Sequence, residues 1–430
     1  MKNSTLPDAS RVGIACLYFL LVYLWFVQGQ TYRGGLLEQF GVLRYLSYLV
    51  IFALGAVLAL LAALRAETIK RSPGTGFVLV LTLGAYILGV GVYLDSSAQT
   101  LAEGSLVYLR YPMLYLMLCH LAIADKVEAF LRFSLLVSVA ITLEPLINYP
   151  LFGLHGDDAY LTLGPWGGHA VAGVILLYGF CLVSANLVLT GGRWYHIAFI
   201  YLVVLALLIS SNRGSLLSLA PMIALLFLVS VDRFRPWLLY PLSLAINILV
   251  ILAAYALYSG DVGLNISQLL NPVYRLHYIG GVYELLESSG HLLTGAGIRS
   301  MSPGSAGEAG WVFTALKSQD PRLVKGGTNQ YSKALAELGL VGCALYWLLL
   351  ARILATNIRL WNSIKQRDDV CLFKKSIVLA FFGIWLHFSS FGLFYNDLWR
   401  FDASALLFWS LAVFIYSNQS RYTPDPLSSA

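Results

Sequence analysis

The chain has 430 residues, of which 58% are hydrophobic and only 12% are charged. Soluble domains carry about 25% charged residues, so these charges are too few to cover a water-soluble globule of this length. The composition therefore excludes a soluble protein and predicts one that is embedded in a lipid bilayer. The net charge of +6 then has meaning only when it is divided between the two sides of the membrane.

Continuous apolar runs favour membrane-spanning helices over a lipid-facing barrel, whose strands would alternate. Since a span needs roughly 20 mostly apolar residues, the sequence predicts an all-α polytopic protein of about twelve transmembrane helices. The first run has no small-residue cleavage site after it, which indicates a retained span. The predicted spans are 12–29, 43–65, 76–95, 105–124, 128–147, 168–190, 195–212, 214–231, 237–258, 334–356, 373–394 and 400–418.

One connection is far longer than ordinary loops. Residues 259–333 contain helix-like runs and predict a large periplasmic loop that carries short helices. The chain then divides into spans 1–9 within 1–258, this loop, spans 10–12 within 334–418, and a polar tail, 419–430, which is predicted to be flexible. Most of the 28 Lys and Arg residues fall on the side of the N-terminus, so both termini are predicted to be cytoplasmic.

Several arginines are exceptions to this charge distribution, because they lie towards the outer ends of the predicted spans or beyond them. Arg213 lies in SSNRGS between the seventh and eighth spans, Arg110 lies inside the fourth, and Arg275 lies in the large loop. Arg400 joins them, or alternatively pairs with a neighbouring aspartate. An arginine at membrane depth costs a few kcal/mol, and guanidinium groups make forked contacts with phosphate oxygens. These residues therefore predict an anion site on the outer face.

Three elements, in this order, resemble the bacterial O-antigen ligase and polymerase superfamily of GT-C-type membrane glycosyltransferases. SSNRGSLLSLAP is similar to the family motif S-x-S-R-G/A-x-L. NPVYRLHYIGGVYELLESSGHLLTGAGIRS resembles an arginine-led helix followed by a G-x-G turn, here Gly295 and Gly297. TNQYSKALAELGLVGCAL is similar to H-N-x-x-L…E-x-G-x-x-G, except that Thr328 stands where many members have histidine. The resemblance covers most of the chain from Gly164 to Leu350.

The resemblance implies an enzyme of the bacterial inner membrane with a periplasmic active site. It would transfer a glycan from an undecaprenyl-diphosphate carrier, and fixed cations would stabilise the departing diphosphate. Arg213 and Arg275 are the expected catalytic cations. The sequence has no D-x-D spacing and no His/Asp cluster with clear ligand spacing, so a metal-independent reaction without a cofactor is expected.

Other residues are expected to bind the substrates. These are Arg110, Arg400, Asn329, Tyr331 and Glu337. Candidates for a base that acts on the acceptor hydroxyl are His277, His291 and His169. Glu337 alternatively caps the first turn of the tenth span. The loop aromatics, among them Tyr283 and Trp311, either stack on sugars or, as favoured here, build the core of the loop.

The preferred function is a polymerase of polysaccharide repeat units that joins one lipid-linked glycan to the end of another. The first alternative is an O-antigen ligase, which Thr328 disfavours because threonine cannot act as a base near neutral pH. The second is a transporter or flippase of lipid-linked sugars. The expected partners are the undecaprenyl-diphosphate-linked oligosaccharide and the bilayer, with a chain-length regulator protein as a further candidate and no nucleic acid.

Overall fold

The regular structure of the described residues is helical. A computed structural model describes residues 9–24, 46, 49–55, 75–94, 96–120, 124–152, 169–209, 213–230, 241, 271–301, 310–319, 330–390 and 402–422. No strand occurs within these ranges, which confirms the predicted all-α class. The helices are α1 (Ala9–Val22), α2 (Thr75–Tyr93), α3 (Ala98–His120), α4 (Ala124–Phe152), α5 (His169–Thr190), α6 (Trp194–Ile209), α7 (Arg213–Ser230), α8 (Asn271–Ser288), α9 (Trp311–Gln319), α10 (Gln330–Ile364), α11 (Leu372–Ser390) and α12 (Asp402–Tyr422).

Five of these helices are long and apolar enough to cross a membrane, namely α2, α4, α5, α10 and α11. Three shorter apolar helices, within α1, α6 and α7, accompany them. These helices support a membrane protein, as the composition predicted. The number of twelve spans stays a prediction, because the predicted span 237–258 and much of 43–65 lie outside the described residues.

Helix ends differ from the predicted spans where polar residues continue a helix beyond its apolar part. Helix α3 begins at Ala98 rather than 105, and α4 extends to Phe152 rather than 147. Helix α12 ends at Tyr422, so the first residues of the predicted flexible tail belong to a helix. Hydropathy detects the part of a helix that suits lipid, whereas backbone hydrogen bonds extend the helix into the aqueous interface.

Helices α5 and α11 form the centre of the assembly and run antiparallel. Cys181 packs at Gly383, and the Asn186 amide donates to Ser376 Oγ at 3.2 Å. Residue 181 thus lies beside 383 and residue 186 lies beside 376, so the numbering rises along one helix while it falls along the other. Because short connections link α5 to α6 and α6 to α7, and each pair packs together, α7 runs parallel to α5. The beginnings of α5 and α7 therefore lie at the same end as the last residues of α11.

Helix α10 is broken at Gly339, whose φ of 65° and ψ of −171° are not helical. Along one straight helix at 1.5 Å per residue, Tyr331 and Trp347 would lie about 24 Å apart. Their rings instead stack with centroids 6.3 Å apart. Residues 330–338, here called the fold-back helix, therefore turn back beside the start of 340–364. The predicted tenth span, 334–356, lies within this apolar helix, but its hydropathy does not predict the reversal at Gly339.

A second, smaller core covers this break. Residues 271–301 and 310–319, here called the cap, include α8 and α9 and belong to the predicted large loop. The side chains that pack together are Val282, Leu286, Met301, Val312 and Leu316 of the cap with Leu335 and Ala336 of the fold-back helix. The end of the assembly that carries the cap and the break in α10 is called the cap end below.

At the opposite end, residues 365–371 link α10 to α11. Arg367 donates to Asp369 from Nε to Oδ1 at 3.0 Å and from Nη2 to Oδ2 at 2.9 Å. These hydrogen bonds lower the pKa of the Asp369 carboxyl. Both side chains are largely exposed, so the pair shapes the link and adds little to global stability.

Candidate functional site

The cap and the fold-back helix are joined backbone to backbone. The Ala296 amide donates to the Ala336 carbonyl at 2.7 Å, and the Leu340 amide donates to the Leu292 carbonyl at 3.0 Å. The break in α10 starts a new helical turn whose amide groups have no partner within the helix. The Leu292 and Leu293 carbonyls of the cap supply partners for the first two of these amides, those of Leu340 and Val341.

Glycine is required at this junction because the two backbones touch. Gly295 and Gly339 have φ of 78° and 65°, a region that side chains disfavour. A Cβ on Gly339 would overlap the Leu293 carbonyl oxygen, and a Cβ on Gly295 would lie 2.6 Å from the Gly339 nitrogen. The first glycine of the G-x-G turn and the glycine of E-x-G thus meet each other in the fold.

Glu337 lies two residues before the break and is 2% exposed. The Tyr108 hydroxyl, on α3, donates to Glu337 Oε2 at 2.6 Å. This bond orients the carboxylate. The alternative that Glu337 caps the first turn of the tenth span stays a prediction, because Glu337 lies just before residues 340–364, where the helix starts again after Gly339.

Two further tyrosines hold the fold-back helix in place. The Tyr86 hydroxyl, on α2, donates to the Leu338 carbonyl at 2.7 Å. The Tyr331 hydroxyl donates to the Ser389 carbonyl, close to the end of α11. Tyr331 was expected to bind substrate, but its hydroxyl and its ring, stacked on Trp347, both serve this attachment. The structure therefore favours a packing role for Tyr331.

Arg110 is a buried cation, 3% exposed, on the helix that carries Tyr108. Its guanidinium carbon lies 4.6 Å from the centre of the Tyr111 ring. Arg110 follows Tyr108 by two residues, which places it on a different face of α3 from the side chain that contacts Glu337. Arginines inside membrane proteins face polar cavities or partners rather than lipid, and the burial of Arg110 agrees with that rule.

The two expected catalytic arginines lie on elements that reach the cap end. Arg213 is the first residue of α7, which begins at the end where α11 terminates. Arg275 lies in α8 of the cap, which packs against α10. The side chains of both arginines are outside the described part of the structure, as are those of His277 on α8 and His169 on α5. Arg400, Asn329 and Thr328 also lie outside it.

His291, a candidate base, lies in the turn that follows α8. Its amide donates to the Leu286 carbonyl at 2.8 Å, and its carbonyl accepts the Gly295 amide at 2.7 Å. Its ring is tilted by 59° against the Trp311 ring, with centroids 6.2 Å apart. Glu337 and His291 are thus connected through the backbone of the cap turn, but in the described contacts the His291 ring packs with Trp311.

The expectation that loop aromatics build the core of the loop is wrong for two of them. Trp311 is 42% exposed and Tyr283 is 41% exposed. The smaller core that the cap shares with the fold-back helix consists of aliphatic side chains and Met301. These aliphatic residues already fill the space between α8, α9 and the fold-back helix, which leaves the aromatic rings on the surface.

Two ionisable residues escaped the sequence reasoning. His387 on α11 is 2% exposed, and it lines a cavity of about one water molecule in size together with Ser404 and Tyr178. Glu144 lies within the apolar part of α4 and is partly buried. In the sequence, each is the single ionisable residue of an apolar run, IWLHFSS for His387 and ITLEPLI for Glu144. Such residues within membrane segments indicate function.

Comparison with known proteins does not identify the chain: no family model matches it, and neither does any curated protein. Among the described residues, no three His, Cys, Asp or Glu side chains are grouped so that they could hold a metal ion. Support for a function therefore comes from the geometry of the cap end and from the sequence elements that meet there.

Proposed function

We propose that the protein is a polymerase of surface-polysaccharide repeat units. It transfers a glycan from an undecaprenyl-diphosphate carrier to the end of a second lipid-linked glycan on the periplasmic face of the inner membrane. The observation that carries the proposal is the direct hydrogen bonding between the G-x-G turn and the fold-back helix, with 2.7 Å between the Ala296 amide and the carbonyl of Ala336, the residue before E-x-G-x-x-G. The element that begins with Arg213 reaches the same end of the assembly.

The chemistry follows from the charges. An acceptor hydroxyl oxygen attacks the anomeric carbon of the donor glycan, and the bond between that carbon and the diphosphate oxygen breaks. The diphosphate leaves with the electron pair, so its negative charge grows in the transition state. Guanidinium groups of Arg213 and Arg275 would stabilise that charge more strongly in the transition state than in the ground state, and Arg110 would assist in holding the substrate.

The proton of the acceptor hydroxyl must pass to a base. Glu337 is the best-supported candidate among the described residues, because Tyr108 orients its carboxylate and it lies next to the break in α10 that the cap contacts. His277 and His169 stay candidates from the sequence, whereas the His291 ring packs beside Trp311. Base catalysis requires a group within hydrogen-bonding reach of the hydroxyl, and the fold-back helix brings Glu337 to the end of the assembly where Arg213 begins α7.

The test is synthesis of a polymer ladder by the purified protein. Proteoliposomes receive an undecaprenyl-diphosphate-linked repeat unit with EDTA present, and products are separated on a gel. Arg213→Ala is expected to lower the rate by about 10²- to 10³-fold, the usual effect of removing one group that stabilises a transition-state charge. Arg193→Ala is the matched control, because Arg193 is exposed in the turn between α5 and α6 at the opposite end.

The outcomes separate the three candidate functions. A normal ladder from the Arg213→Ala protein would remove Arg213 from the mechanism. Transfer only when a lipid A core acceptor is added would identify a ligase instead. Movement of the lipid-linked sugar across the bilayer without a new glycosidic bond would identify a transporter.

A further inference from the structure

The outer surface of the cap displays aromatic rings that its core does not use. Trp311 starts α9 with 42% of its surface exposed, and the His291 ring lies beside it at 6.2 Å between centroids. Leu293, two residues after His291, is 62% exposed. Here Trp311 and His291 together are called the cap platform. A surface that combines an indole face with an imidazole offers apolar contact and a hydrogen-bonding group side by side.

Backbone contacts fix the main chain that carries both rings of the cap platform. Trp311 follows Gly310, which lies so close to the Arg299 and Ser300 carbonyl oxygens that a Cβ would overlap both. The Phe313 amide donates to the Ser300 carbonyl at 3.1 Å, which fixes the start of α9. His291 makes a backbone hydrogen bond at its amide, to the Leu286 carbonyl at 2.8 Å. A ligand that binds such a fixed surface loses little free energy to ordering of the protein.

The surface around the cap platform faces water rather than lipid. The cap carries exposed charged side chains, namely Glu284 and Glu287 on α8, Arg299 in the turn and Lys317 on α9. Charged residues are costly among lipid acyl chains, so an acyl chain does not suit this face. The exposed rings of α6 differ, because there Trp194 and Tyr195 begin a helix that is otherwise apolar.

The cap platform is continuous with the candidate site. The chain runs from His291 into Leu292 and Leu293, whose carbonyls accept the Leu340 and Val341 amides at 3.0 and 3.2 Å. Those amides directly follow the break in α10, and Glu337 directly precedes it. A glycan that has its reacting end near Glu337 and its remaining sugars outside the membrane would pass over this part of the cap.

We infer that Trp311 and His291 form a binding subsite for a pyranose ring of the glycan, outside the site of transfer. The apolar C–H face of the sugar lies on the indole, and a hydroxyl of the same sugar hydrogen-bonds to the imidazole. This inference rests on the proposed function, because it assigns the subsite to the glycan that the protein elongates. Its expected role is to retain a growing chain between additions.

The test measures glycan binding directly and does not require turnover. Oligosaccharides of one to four repeat units, released by mild acid from the polysaccharide of the host strain, are titrated into the full-length protein in nanodiscs by calorimetry. Trp311→Ala is expected to weaken binding about tenfold, while Trp311→Phe keeps an aromatic face and most of the affinity. Trp194→Ala is the matched control, because Trp194 is 80% exposed at the opposite end of the assembly.

The same variants are compared in the polymer ladder, where Trp311→Ala is expected to give shorter chains than Trp194→Ala. Unchanged binding in Trp311→Ala, or no binding of any oligosaccharide by the unmodified protein, would overturn the subsite. Equal losses in Trp311→Phe and Trp311→Ala would overturn stacking as its basis. If the unmodified protein makes no ladder but binds glycan through Trp311, the proposed function fails and the subsite stands.

Discussion

Among individual residues, Glu337 connects the cap end to α3 through the hydroxyl of Tyr108. Its partner Tyr108 is 229 residues away in the sequence, so no local pattern connects the two. A carboxylate that is 2% exposed is stable only with a hydrogen-bond donor, because burying an unpartnered polar or charged group is costly. The single hydroxyl of Tyr108 therefore has both a structural and an electrostatic effect on Glu337.

Removal of that hydroxyl should reveal the coupling. Tyr108→Phe leaves a buried carboxylate short of a donor and is expected to lower the free energy of unfolding by about 1–3 kcal/mol. Glu337→Gln is expected to reduce polymerisation while it retains most of the stability, because the amide keeps the shape but does not take up a proton. Thermal unfolding in detergent and the polymer ladder measure the two effects.

A matched tyrosine separates this effect from the loss of any buried hydroxyl. Tyr178 is also buried, and its hydroxyl donates to the Leu131 carbonyl at 2.9 Å, so Tyr178→Phe removes a bond to a neutral group only. Its expected cost is about 1 kcal/mol. Additive effects of Tyr108→Phe and Glu337→Gln in the double variant would show that the two side chains do not act together.

At the scale of helices, the sequence predicts those elements whose position depends on hydropathy alone. The predicted spans 168–190 and 214–231 match α5 and α7 within a few residues at each end, because a continuous apolar run buries itself in lipid wherever it lies. The fold-back at Gly339 could not be predicted this way. The run around it, KALAELGLVGCAL, is apolar on both sides, and hydropathy does not record a reversal of direction.

The reversal depends on a backbone conformation that only the tertiary fold selects. Glycine adopts φ of 65° without penalty, but it does so here because the cap supplies carbonyl partners to the amides after the break. The E-x-G spacing of the third sequence element predicts a functional position but does not give its conformation. The sequence thus predicts which positions belong to the candidate site, but it does not predict the backbone geometry that brings Gly295 and Gly339 together.

Gly339→Ala tests the element directly. The added Cβ is expected to cost about 1–3 kcal/mol in backbone strain, and its overlap with the Leu293 carbonyl adds to this cost. Thermal unfolding and the yield of monodisperse protein measure the loss. Gly89→Ala on α2 is the matched control, because a Cβ there meets nothing within 4 Å and alanine favours a helix by about 0.5–1 kcal/mol. Equal stabilities of the two variants would contradict the fold-back geometry.

At the scale of the whole molecule, the proposed function requires that the cap end faces the periplasm. The link 365–371 and the cap lie at opposite ends, because the antiparallel α10 and α11 connect through the link and both extend from it towards the cap. Asn357 on α10 donates to the Val378 carbonyl at 3.1 Å, and Trp385 donates to the Leu350 carbonyl at 3.1 Å. Basic residues near the link, such as Lys365, Lys374 and Lys375, predict that this end is cytoplasmic.

Cysteine labelling tests this arrangement in the full-length protein. Of the five cysteines, Cys371 in the link is exposed, Cys119 and Cys181 are buried, and Cys16 and Cys343 lie partly buried within helices. A membrane-impermeant maleimide is therefore expected to label Cys371 in inside-out vesicles and not in intact spheroplasts. Ser288→Cys in a Cys371→Ser background is expected to give the opposite result, because Ser288 is exposed in the cap. Labelling of both positions from the same side would mean that the cap and the link are not separated by a membrane, and a periplasmic transfer site at the cap end would then be wrong.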